Sequence, residues 1–208
     1  SDVCSSDLFK GGVRGAIINN FIYNPRERAI NYNLQGLEWG AVPYETGRMT
    51  VIGNVMRAGP STDEGLPMIM LGADGDLMIY ERDNIAVDKY GAPSPMRGRY
   101  GTGRAEFIDS ETPLDLPPGL QQMPARDVEK HVLANAGARP WDRDAYDVQL
   151  LSYVAEGRGQ IIDSQEEVGG YPRFPETRRA FDPSLWDLDT MEPLSPDALD
   201  SGAKARGT

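Results

Sequence analysis

The chain has little cysteine and little histidine: one residue of each, Cys4 and His131, in 208. A single Cys excludes an internal disulfide and any cysteine-built metal site. A single His means that a Ser-His-Asp arrangement would have to run through His131. No apolar run approaches the roughly 18 residues of a transmembrane helix, and no signal peptide is visible. Positive charge is also short, with 21 Lys and Arg against 32 Asp and Glu, for a net charge of −11 and a pI of about 4.6. That balance argues against nucleic acid and against an anionic membrane as partners. Glycine and proline are plentiful, 23 and 16 residues. With a hydrophobic fraction of 39%, they describe a turn-rich chain of one domain, or one domain with a tail.

What is there is a recurrence. Asn20-Phe21-Ile22, Asn54-Val55-Met56 and Asn84-Ile85-Ala86 each place an Asn just before an apolar pair. The spacings, 54 − 20 = 34 and 84 − 54 = 30 residues, are those of a solenoid, in which each turn covers its apolar side chains with the next. An Asn at the same corner of each turn is suited to left-handed geometry there and to passing amide hydrogen bonds along the stack. The alternative is an ordinary antiparallel β domain with three unrelated turn asparagines. Ala29–Asn33 and Pro67–Leu71 read as further strands. A parallel solenoid is expected over 8–110, where no window shows a helical period.

The chain divides further by composition. Residues 1–7 have no hydrophobic period and no link to the recurrence; they read as a non-native leader on a C-terminal fragment, with Cys4 incidental. Residues 111–165 read as a proline-stiffened connector, two helices and a short strand at Gln160–Asp163. Pro124 opens the first helix, Val128, Val132, Leu133 and Ala136 make its stripe, and Gly137 follows it. The second runs from about Asp144 to Glu156, with Asp142 or Asp144 as N-cap, Val148, Leu151 and Val154 on one face, and Gly157 as its stop. Both are expected to pack outside the solenoid. Residues 166–208 read as an extended acidic tail, anchored by Tyr171, Phe174, Phe181, Leu185 and Trp186, with its last eight residues disordered.

Lys10, Arg14, Arg26 and Arg28 face only Glu27 between residues 8 and 28. In an acidic protein such a cluster either attracts an anion or is a solvated basic edge. His131 reads as a surface or packing residue.

Leu8-Phe9-Lys10-Gly11-Gly12 followed by Asn19-Asn20, the stretch Val132-Leu133-Ala134-Asn135-Ala136-Gly137-Ala138-Arg139-Pro140-Trp141-Asp142-Arg143-Asp144-Ala145, and Gly159-Gln160-Ile161-Ile162-Asp163-Ser164 together resemble the later turns and C-terminal region of pectate lyases of polysaccharide lyase family 1. The resemblance covers most of 8–172. It implies an all-β, right-handed parallel β-helix, a secreted or periplasmic monomer, and Ca²⁺-dependent β-elimination of polygalacturonate. Only Lys10 carries over directly, as a residue that binds the uronate carboxylate; Arg14, Arg26 and Arg28 are candidates to extend the same groove. The resemblance also places Ser5 where the catalytic Arg of the family's Arg-x-Pro-x-x-Arg/Lys-Gly-Gly motif belongs, and Asp7 at the motif proline. The family's calcium carboxylates lie on earlier turns. The fragment is therefore expected to be inactive and to hold no metal. Two alternatives stay open: a non-catalytic carbohydrate-binding or structural solenoid, and a polygalacturonase. The latter would need paired carboxylates, for which Asp74 and Asp76 are the nearest pair.

Overall fold

A computed structural model describes residues 8–171, 173 and 182–195. The leader expected at 1–7 with Cys4 and Ser5, the anchors Phe174 and Phe181, and the frayed end lie outside them. The chain divides into two compact units, 1–162 and 163–208.

The first unit is a parallel β-solenoid of about three turns. Its first sheet stacks β1 (Leu8–Lys10), β4 (Ile30–Leu34), β7 (Ile69–Ala73) and β10 (Arg97–Tyr100). The second stacks β2 (Arg14–Ile18), β5 (Gly47–Ile52), β8 (Leu77–Arg82) and β11 (Phe107–Asp109). The third stacks β3 (Phe21–Tyr23), β6 (Val55–Arg57) and β9 (Ile85–Val87). Every pairing within these three sheets is parallel.

Side chains alternate across each strand, so every second residue points inward. Ile30, Tyr32 and Leu34 do so on β4, Ile69 and Leu71 on β7, Met49 and Val51 on β5, and Leu77 and Ile79 on β8, all essentially without solvent contact. Each such side chain stabilises the fold by about 1.5–3 kcal/mol relative to exposure. Tyr32 lies in this core with its hydroxyl accepting from the Gly12 N–H at 3.2 Å. A Cβ on Gly47 would stand 2.4 Å from that ring. Glu81, in register with buried Val51, meets Arg97 at 2.5 Å, and Arg97 reaches Asp109 at the same distance.

The recurrent asparagines stack as a ladder. The backbone N–H and side-chain Nδ2 of Asn20 donate to Oδ1 of Asn54 at 2.9 and 3.1 Å. Asn54 repeats this towards Asn84 at 3.0 and 3.1 Å. The left-handed residue of each corner is the one before the ladder Asn rather than the Asn itself: Asn19 (φ 55°), Gly53 (φ 66°) and Asp83 (φ 53°). Reversing the chain in two residues takes one left-handed and one extended residue, and the extended one aims its amide along the stack.

The apolar pair after each Asn splits between two faces. Phe21, Val55 and Ile85 are in register on the outer side of the third sheet. They pack with Ala125, Val128 and Val132 of α2 (Ala125–Asn135). Ile22, Met56 and Ala86 point inward to the core. The corner row also holds the start of α2. Asn19 bonds the Met123 backbone both ways at 2.7 and 2.8 Å, and Asp83 accepts from the Ala125 N–H at 2.9 Å. Gly53 stands between them, where a Cβ would meet the Met123 carbonyl oxygen at 2.9 Å.

The connector lies along the second sheet. Thr50 Oγ1 donates to the Leu114 carbonyl and accepts from its N–H, both at 2.7 Å. Arg48 pairs with Asp115 at 2.8 Å, and Arg82 donates to Gln122 at 2.6 Å.

Three further expectations for this unit need correction. Helix α3 (Ala145–Ala155) forms with Asp144 as N-cap, but it buries no residue, and Val148 is 55% exposed. Polar contacts hold it instead. Arg57 donates to the Val154 carbonyl and pairs with Glu129 of α2 at 3.1 Å, and Tyr23 donates to the Arg158 carbonyl at 2.7 Å. Gln160–Asp163 is not a strand; the Ile161 N–H bonds Ser61 Oγ at 3.0 Å and no strand pairs with it. A short helical turn, α1 (Gly36–Trp39), interrupts the region read as free of helix.

In the second unit, 3-10 turns at Gln165–Val168 and Pro183–Leu185 precede a small antiparallel hairpin of β12 (Trp186–Asp187) and β13 (Glu192–Pro193). The described part of the tail is therefore folded locally rather than extended, and Tyr171 is 74% exposed.

Candidate functional site

Among the described residues, the connector covers the outer face of the second sheet and α2 that of the third. The outer face of the first sheet has neither cover. Its in-register row is Lys10, Asn33, Gly72 and Tyr100, and Asn31 precedes Asn33 by two residues on the same face. At about 4.8 Å per strand, this row runs roughly 14 Å from Lys10 to Tyr100.

The missing Cβ of Gly72 shapes the row. A Cβ there would come 2.2 Å from Cζ of Tyr100, so the hydroxyl end of the tyrosine ring lies over the glycine. Arg28, from the loop before β4, stacks on that ring at 4.9 Å from its centroid. Burial pushes the Tyr100 hydroxyl above its ordinary pKa, while the Asn31 amide and the charges of Arg28 and Lys10 pull it down. The Asn31 side chain lies beside that hydroxyl, and Oδ1 of Asn31, Oδ1 of Asn33 and the Tyr100 hydroxyl are all buried without a partner of hydrogen-bond geometry among the described residues.

Lys10 is half-exposed and pairs with Glu38 of α1 at 2.6 Å. A surface pair of this kind contributes only ~0–1 kcal/mol, so an incoming carboxylate can displace Glu38. Trp39 packs over Gly11, and Tyr44 meets Trp39 edge to face at 6.4 Å. Leu37 is 98% exposed beside them.

The four cations of the sequence cluster thus separate. Arg28 stacks on Tyr100, and Lys10 stands at the other end of the same row. Arg14 is exposed on the second sheet in register with Arg48, round the corner from Lys10, and Arg26 is exposed in the loop. His131 is exposed on α2, where its carbonyl accepts from Asn135. Asp74 accepts from the Gly36 N–H at 3.0 Å, and Asp76 from the Glu106 N–H at 2.8 Å. Both are turn caps, which disfavours them as a hydrolytic pair. The residues that sequence reasoning missed are Asn31, Asn33, Gly72 and Tyr100. The alternation Ile30-Asn31-Tyr32-Asn33-Leu34 carried the signal for the two asparagines, as polar residues interleaved with core positions.

The resemblance to pectate lyases implies Ca²⁺. Among the described residues no three His, Cys, Asp or Glu side chains come together, so they do not fit that ion. Comparisons with family models, with curated proteins and with solved structures found no match.

Proposed function

We propose that the outer face of the first sheet binds a uronate-bearing polysaccharide, polygalacturonate by the resemblance to pectate lyases, with Lys10 and Arg28 on its carboxylates. Two cations on one sheet face that neither the connector nor α2 covers, Arg28 stacked on Tyr100 and Lys10 at the other end of the same in-register row, carry the reading. In a chain of net charge −11, two cations on one sheet face beside buried polar groups make a local site for an anion. A linear sugar chain lying across the stacked strands would meet Lys10, Asn33 and Tyr100 in turn.

In β-elimination the proton α to the uronate carboxylate leaves, and negative charge grows on that carboxylate. Lys10 is suited to neutralise it. The step also needs a base, and the resemblance puts Ser5 at that position. A serine hydroxyl does not serve there unaided. The chain as it stands is therefore a binding surface of the pectate lyase kind, and it does not cleave.

Titration calorimetry with trigalacturonate tests this. Binding is expected to weaken with added salt, and Lys10→Ala and Arg28→Ala are each expected to weaken it by about five- to tenfold. Absorbance from unsaturated product is expected to stay at background with and without Ca²⁺. Salt-independent binding, or affinity unchanged in both variants, overturns the site. Product formation overturns the assignment of Ser5.

A further inference from the structure

Three buried polar atoms without partners lie together on this face: Oδ1 of Asn31, Oδ1 of Asn33 and the Tyr100 hydroxyl. Buried polar groups are almost always paired, and an exception in a native fold calls for an occupant. Asn31 is 1% exposed, so its amide does not make up the deficit with bulk water. Asn33, next along the face towards Lys10, is half-buried and leaves the pair approachable from that side. Both unpaired amide atoms are acceptors; with the ring in place the Tyr100 O–H is the donor nearest Asn31, so a donor from outside is needed at Asn33 and, once the ring has moved, at Asn31. A metal cation is disfavoured by Lys10 and Arg28, whose charges both reach the Tyr100 hydroxyl. A neutral donor fits, and on a face that binds a sugar chain the donor at hand is a hydroxyl.

We propose that Asn31 and Asn33 form a subsite for sugar hydroxyls, and that the Tyr100 ring is its cover. The ring rests in the space left by the Cβ of Gly72 and is held from outside by the Arg28 guanidinium. Both restraints are weak ones: a stacking contact and a cavity fit. Rotation of Tyr100 off Gly72 exposes the Asn31 amide and leaves the ring edge as an apolar wall for the sugar. Arg28 then has two alternative partners, the ring when the subsite is closed and a uronate carboxylate when it is open. Ligand carboxylate and ligand hydroxyl are thereby read together. This inference rests on the proposed polysaccharide site and adds the hydroxyl contacts and the opening step to it.

The test uses two probes, trigalacturonate and neutral α-1,4-galactotriose, with the full chain and three variants. Tyr100→Ala removes the cover and is expected to bind galactotriose about tenfold more tightly than the parent, the weight of one or two hydrogen bonds. Tyr100→Phe keeps the ring and is expected to show no gain. Asn31→Leu with Asn33→Leu is expected to lower trigalacturonate affinity by about tenfold. The salt dependence set by Lys10 and Arg28 should be unchanged in that variant. In the parent, the side-chain NH₂ resonances of Asn31 and Asn33 are expected to shift on adding trigalacturonate; this readout needs no variant to fold. NH₂ resonances that stay unmoved while trigalacturonate binds, or no gain for galactotriose in Tyr100→Ala, overturn the subsite and leave the anion site standing. Loss of trigalacturonate binding in every protein, with galactotriose still gained by Tyr100→Ala, overturns the anion reading and leaves the subsite.

Discussion

The side-chain amide of Asn19 and the backbone of Met123 hydrogen-bond in both directions, Oδ1 accepting from the N–H at 2.8 Å and Nδ2 donating to the carbonyl at 2.7 Å. One left-handed corner residue of the first turn thus fixes the point at which the chain leaves the second sheet and enters α2. Asn19→Ala is expected to destabilise the protein by about 1–3 kcal/mol, because it strands two partly buried backbone groups of Met123. Denaturant unfolding measures the loss. Amide exchange should place it at the start of α2, while the core strands β5 and β8 stay protected.

The Asn ladder predicts a gradient. Asn54 has no exposed surface. Its Oδ1 accepts two bonds from Asn20, and its Nδ2 donates to the carbonyls of Ile17 and Ile52 as well as to Asn84. Asn54→Ala leaves several of these groups unpaired, and each buried one costs about 1–3 kcal/mol. Asn20 is exposed and ends the described ladder, so water can replace its lost bonds. Asn20→Ala is expected to cost about 1 kcal/mol or less. Equal losses in the two variants, measured by urea midpoints, would contradict a ladder whose strength comes from burial.

The tyrosines predict an alkaline limit to stability. Burial raises the hydroxyl pKa of Tyr23, Tyr32 and Tyr100 above the ordinary value near 10. Above pH 10 the folded state therefore holds more protons than the unfolded one, and stability falls with rising pH until the folded pKa values are passed. Below pH 10 these groups contribute no slope. Tyr32 sits deepest, with its ring beneath Gly47 and its hydroxyl on the Gly12 turn. Tyr32→Phe is expected to flatten the decline above pH 10 in melting experiments, at the cost of one hydrogen bond at neutral pH.

The solenoid was legible because a ladder Asn needs the same corner in every turn, and three asparagines at 30-odd-residue spacing betray that need. The apolar pair after each Asn was visible too, but not that its first member faces α2 and its second the core. Strands covered on both sides lose the alternation that assigns faces. Helix α3 misled for the opposite reason. Val148, Leu151 and Val154 have helical spacing, yet α3 buries nothing, and hydrogen bonds from Arg57 and Tyr23 locate it. Such contacts join residues 97 and 135 positions apart and leave no local pattern. The site was half legible. Lys10 and Arg28 stood out as cations in an acidic chain, whereas Tyr100 and Gly72 belong to the site only through register.

Arg57 supplies the last prediction. Its guanidinium donates to the Val154 carbonyl, pairs with Glu129 at 3.1 Å, and stacks on Phe21 and Tyr23 at 5.5 and 5.0 Å from their centroids. One planar side chain therefore ties α3 and α2 to the outer row of the third sheet. Arg57→Lys keeps the charge but loses the flat, multiply donating fork. It retains a pairing with Glu129 and gives up the simultaneous reach to Val154 and the aromatic rings. Arg57→Lys and Arg57→Met are thus expected to behave alike at α3, with faster amide exchange over Ala145–Ala155 in both. The effect on α2 should be small, since Val128 and Ala125 hold that helix by burial. The global loss is expected to be about 1–2 kcal/mol. Full protection of α3 in Arg57→Lys would show that charge alone positions the helix and that the fork geometry is dispensable.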